Sequence, residues 1–134
     1  SYPVNGSVSG VPLAIALDKI NTNTLWVATT NGISRSIDFG SNWSSYAFSG
    51  GVNTNCRCII VDPNNTINVM SGSEDGLYRT TNGGSSWTRI RSGLGNYKTI
   101  TSLTQAAGAA GKRRKVWVGT SGGVFIGKQS LSLE

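Results

Sequence analysis

Apolar residues in this chain come in short bursts, as in PLAIAL, LWVAT, CRCIIV, VWVG and GVFIG, each cut off by Gly, Asn, Ser or Thr. Apolar runs this short, bounded by turn formers, predict strands and not helices. The turns are supplied generously. Eighteen Gly in 134 residues, with many Asn and Ser, provide the positive-φ positions that tight connections between strands require. The expectation is an all-β chain long enough to bury a substantial core.

The bursts recur at a fixed distance. A shift of 44 residues carries Asp18 onto Asp62, Gly32 onto Gly76, Arg35 onto Arg79, Gly40 onto Gly84 and Trp43 onto Trp87. A third copy starts near Ile100 and reaches VWVGTSGGVFIG, where Gly119 matches Gly72 and Gly123 matches Gly76 once three extra residues in AAGAAGKRRK are allowed. At the other end, SYPVNGSV lies 44 residues before SYAFSGGV, pairing Ser1 with Ser45 and Tyr2 with Tyr46. A period in this range marks propeller blades. In the second repeat the four strands are expected at about 56–61, 67–71, 77–80 and 87–91. The divisions are 1–9 as an outer closing strand, 10–53 and 54–97 as blades, and 98–128 as an incomplete blade. Leu133-Glu134 reads as a tag remnant.

Two segments carry a more specific signal, SIDFGSNW (Ser36, Asp38, Gly40, Trp43) and TTNGGSSW (Thr80, Asn82, Gly84, Trp87). They resemble the Asp-box of BNR-type, sialidase-like β-propellers, a group that includes sialidases, xyloglucanases, sortilin-type receptor domains and photosystem II assembly factors. The resemblance covers nearly the whole chain and implies blades of four antiparallel strands, three per chain. It also implies that the boxes are structural, lying on the face away from ligand sites. Physically, the acid or amide caps backbone N–H groups of a turn, the Gly takes an unusual φ and the Trp packs between sheets.

Propellers hold about four to eight blades. Three blades leave open sheet edges that seek a partner, so the chain is expected to pair into a six-bladed homodimer. In that ring the N-terminal strand of one copy closes a blade of the other. The alternative is that the chain is a piece cut from a longer propeller.

The candidate chemistry is binding. With no His and six acids, a Ser-His-Asp set and the usual zinc sets are both excluded, and neither a catalytic residue nor a cofactor is expected. Loops on one propeller face bring together Asn53, Asn55, Arg57, Glu74, Asp75, Asn96, Tyr97 and Lys98 as the candidate ligand site for a glycan or protein. The net charge of +6 is concentrated in Lys112, Arg113, Arg114 and Lys115, read as a loop between first and second strands and a candidate polyanion site. A residual glycosidase is the third reading. Cys56 and Cys58 are expected on one face of a strand, about 6.5–7 Å apart and thus as buried thiols. No apolar run reaches the roughly 18 residues of a membrane span, and compartment and source are left open.

Overall fold

The computed structural model describes residues 8–46, 55–90, 99–105 and 114–129, with backbone alone for 114–115 and 127–129. These residues form three antiparallel sheets, open and not closed into a ring. The first contains β1 (Pro12–Leu17), β2 (Leu25–Thr29), β3 (Gly32–Ser36) and β4 (Ser44–Tyr46) in sequence order. The second contains β5 (Cys56–Val61), β6 (Val69–Ser73), β7 (Gly76–Thr80) and β8 (Thr88–Ile90). The third is built from β9 (Ile100–Gln105), β10 (Arg114–Thr120) and β11 (Gly123–Gln129). Each sheet is a meander, and the first strands lie side by side, β1 against β5 and β5 against β9.

The apolar bursts fill two joints between sheets. Trp26, Ala28 and Ile33 of the first sheet meet Ile59, Val61, Val69 and Tyr78 of the second, with Trp87 added from the turn before β8. Met70 and Leu77 of the second sheet meet Ile100, Val116 and Val118 of the third. Trp87 stands edge-on to Trp26 at 6.2 Å and 82°, a geometry that contributes about 0.5–1.5 kcal/mol beyond the apolar area it buries.

One feature of the inner strands overturns an expectation. Pairing slips at the same repeat position in all three sheets, between Pro12 and Ala14, between Cys56 and Cys58, and opposite Gly119 and Thr120, where Ser102 and Ile100 flank Thr101. The extra residue reverses the alternation of faces. Cys56 therefore packs in the first joint and Cys58 in the second, not on one face. Both remain thiols, Cys56 buried and Cys58 partly so.

The second strand of the middle sheet starts later than the pattern suggests, because Ile67 belongs to the preceding turn and its carbonyl accepts from Gly83 N at 3.0 Å. Close packing next to the slip explains the small residues there. A Cβ on Gly72 would lie 2.5 Å from Cys58 Sγ and 2.3 Å from Ile100 Cγ2, and one on Gly119 would lie 2.2 Å from Ser102 Oγ. Where β1 carries Ala14, its partner Ala28 keeps a methyl group.

Candidate functional site

The two boxes fold alike, from hydroxyl and carboxamide chemistry. Ser36 Oγ donates to Asp38 Oδ1 (2.8 Å) and accepts from Gly40 N (2.8 Å), while Asp38 Oδ1 also accepts from Asn42 N (2.8 Å). In the second box Thr80 Oγ1 donates to Asn82 Oδ1 (2.8 Å) and accepts from Gly84 N (3.0 Å), and Asn82 Oδ1 accepts from Ser86 N (3.0 Å). The outer arm reverses its polarity. Asp38 Oδ2 accepts from the Asn42 amide at 2.7 Å, whereas the Asn82 amide donates to Ser86 Oγ at 2.8 Å. Donation from Asn42, by side chain and backbone, and from Ser36 holds the Asp38 carboxyl below the usual carboxylate range. Gly40 and Gly84 take φ +87° and +94°, and Trp87 is buried while Trp43 is half-buried. Ser36, Asp38, Gly40, Thr80, Asn82 and Gly84 are engaged in turn construction, and Trp87 packs in the first joint.

The opposite end of the sheets is organised by a device that repeats three times. Thr29, Ser73 and Thr120 each donate a hydroxyl hydrogen bond to the carbonyl of the Gly that opens the next strand, Gly32 (3.1 Å), Gly76 (2.9 Å) and Gly123 (2.9 Å). The same hydroxyls accept from Asn31, Asp75 and Gly122 N. The first loop residue of each hairpin then donates its N–H to the chain leading into the inner strand, Thr30 to Val11, Glu74 to Asn55 and Ser121 to Thr99. Three two-residue loops are thereby fixed on one face, beside the starts of β1, β5 and β9.

On that face Asn55, Arg57 and Glu74 converge. Arg57 Nη2 lies 2.6 Å from Glu74 Oε1, with both side chains roughly half exposed. Side-chain hydrogen bonding from Asn55, then from Arg57, holds the Glu74 carboxyl below its ordinary range. Thr99 Oγ1 donates to Glu74 O at 3.4 Å. Arg57 is the residue at the strand slip, as are Leu13 and Thr101 in the other sheets, and all three are exposed. Asp75 does not join this cluster. It accepts from Tyr78 Oη at 3.1 Å and pairs with Arg89 at 3.4 Å, by the first joint. Burial, then the hydrogen bond to Asp75, pushes the Tyr78 hydroxyl up. Asn53, Asn96, Tyr97 and Lys98 lie outside the described residues.

The basic run is placed differently from its sequence reading. Lys112 and Arg113 lie outside the described residues, but Arg114 and Lys115 belong to β10, paired with Gln129 and Lys128 of β11, and are not loop residues. The strand extends because β11 continues past the point where β7 turns into its box, offering backbone partners that far back. Among the described residues there is no group of three or more acidic or sulfur ligands able to hold a metal, and no helix is long and apolar enough to cross a membrane.

No protein-family model and no curated protein matches this chain. Solved structures do match. It is similar to a GH74 enzyme of Niastella koreensis at 23% identity and TM-score 0.69, over 88% of this chain and 21% of that one. It is similar to YCF48 bound to D1 peptide at 18% identity and TM-score 0.68, over 90% of this chain and 38% of that one. The GH74 xyloglucanase from Xanthomonas campestris matches at 20% identity and TM-score 0.61, over 88% and 22%. The chain thus spans about a fifth of the GH74 enzymes and under two fifths of YCF48. These neighbours are β-propellers, and the three sheets have the fold of propeller blades.

Proposed function

We propose that this chain is an Asp-box propeller unit that binds a protein or glycan ligand without catalysis, as a homodimer. The observation that carries the reading is the fixed loop face. Three identically tied hairpins and the Asn55–Arg57–Glu74 cluster form a preorganised polar surface at the strand starts, and preorganisation lowers the ordering cost of binding. The boxes, at the other end of the sheets, are consumed in holding turns. The likeness to YCF48, a propeller bound to D1 peptide, favours a peptide ligand, and the likeness to the GH74 xyloglucanase favours a glycan.

Catalysis is not supported by the acids on this face. Glycoside hydrolysis needs one carboxyl kept protonated near neutral pH beside one ionised partner. Glu74 is instead held ionised by its donors, and Asp75 is occupied by Tyr78 and Arg89.

The test is ligand binding by peptide and glycan arrays, followed by Arg57→Ala and Glu74→Ala. Saturable binding lost in both variants supports the site. Binding unchanged in both removes it, and turnover of an aryl-glycoside panel removes the non-catalytic reading.

A further inference from the structure

The first joint records how one blade of this chain meets the next. On the leading side Trp26 and Arg35 stand on one face of the first sheet. On the following side Gly83, Gly84 and Trp87 come from the second box. Arg35 Nη1 donates to Gly83 O at 3.0 Å and its guanidinium sits 5.3 Å above Trp26. Gly84 approaches so closely that a Cβ there would be 3.0 Å from the Trp26 ring.

Both halves of this joint occur a second time in the chain, without each other. On the outward face of the third sheet, Trp117 and Ile126 are paired across β10 and β11 as Trp26 and Arg35 are across β2 and β3. On the outward face of the first sheet, Phe39, Gly40 and Trp43 are the box counterparts of Gly83, Gly84 and Trp87. The two halves differ from the first joint in a correlated way. Where the first joint sets Arg35 against the open carbonyl of Gly83, the outward halves offer Ile126 and Phe39, 65% and 70% exposed. A polar pair has been exchanged for an apolar one on both sides at once. Phe39 moreover holds φ +57°, a left-handed conformation costly for a side chain and matched by Gly83 at +68°. Strain at an exposed aromatic residue points to a contact that keeps it. Ile15, the counterpart of the joint residue Ile59, and Val124 are exposed on the same two faces.

We infer that the outward face of the third sheet docks onto the outward face of the first sheet of a second copy, with Ile126 against Phe39 where Arg35 meets Gly83, and Trp117 against Gly40 and Trp43. A two-fold pair of such joints closes the ring and leaves no apolar face over. The proposal rests on the homodimer reading and names the residues by which it forms.

The experiment is absolute mass by light scattering over a concentration series, for the unmodified chain, Ile126→Arg, Phe39→Gly and the double variant, with circular dichroism confirming that each folds. Both positions are exposed within one chain, so the fold survives. The expected result is a dimer that each single substitution weakens by about tenfold or more, and that the double variant restores by recreating the Arg35–Gly83 arrangement. A dimer indifferent to both single substitutions overturns this joint and leaves the homodimer standing. A monomer at every concentration overturns both.

Discussion

Arg35 reaches out of its own sheet to bond the carbonyl of Gly83, 48 residues later in the chain. One side chain thereby ties a blade to the box turn of its successor. Its repeat counterpart Arg79 has no such acceptor among the described residues. Arg79 Nε and Nη2 are buried without a hydrogen-bond partner among the described residues, beside a hollow of about 160 Å³ lined by Thr81, Ser86, Thr88 and Ile90. The third sheet has Gly127 where Ser36 and Thr80 supply the box hydroxyl, and β11 runs on past that point to Gln129.

Arg35→Met removes the hydrogen bond and leaves the Gly83 carbonyl unsatisfied. The expected loss is about 1–2 kcal/mol of unfolding free energy. Arg35→Lys should recover little, because a point charge on a flexible stem neither stacks on Trp26 nor reproduces the planar fork. Urea unfolding followed by tryptophan fluorescence checks both. Arg79→Met, by contrast, should cost little or even stabilise, since it removes buried donors that lack a partner among the described residues.

Gly72→Ala drives a methyl group into Cys58 and Ile100 at the tightest point of the second joint. Overpacking of this kind costs about 1–3 kcal/mol. Adding Cys58→Ala, which copies the Ala14–Ala28 pairing, should return only part of the loss because Ile100 remains. A thermal melt in which Gly72→Ala is neutral would refute the packing described for that joint.

Acid should find the first box before the second. A carboxyl held below its ordinary value, as at Asp38, adds stability that is fully present above about pH 4 and lost as pH falls through the folded value. Asn82 does not titrate. Asp38→Asn is therefore expected to flatten part of the acid limb of the stability profile below about pH 4, while Asn82→Asp steepens it. The check is the urea midpoint against pH, with Glu74, which is held low in the same direction, contributing a limb common to all variants.

Burial pushes the Cys58 thiol up to about 11, so at pH 8 almost none of it is the nucleophilic thiolate. Iodoacetamide should leave Cys58 unmodified in the folded chain and label it promptly in denaturant. Native labelling at pH 8, read by mass spectrometry after digestion, would contradict its placement in the second joint.

Much of this architecture is legible in the letters. The 44-residue match locates the sheets, and the turns at Asp18 and Asp62 form as matched caps, with Oδ1 of each accepting two backbone N–H groups. The box residues can be read because Gly and Trp are informative when they recur together at fixed spacing. What stays hidden has a physical cause in each case. The hydroxyls of Thr29, Ser73 and Thr120 clamp the loop face, yet Ser and Thr are so frequent here that their alignment carries little signal. The slip at Leu13, Arg57 and Thr101 breaks the period-two rule from which faces are inferred, and nothing in those three side chains announces it. Arg114 and Lys115 look like loop residues by charge, but strand pairing is a backbone matter and accepts them.

The slip in the inner strands divides each of them into two segments with separate tasks. Below it in β5, side chains alternate between the two joints, Ile59 and Val61 in the first and Cys58 and Ile60 in the second, and a change there is felt in the packing. Above it, one residue per blade has been released from that alternation and from its pairing partner, and in three successive blades that place holds an aliphatic, a cationic and a hydroxyl side chain. A row of positions that the scaffold does not need is thus open to variation, and the loop face can change its chemistry there without disturbing the joints beneath it.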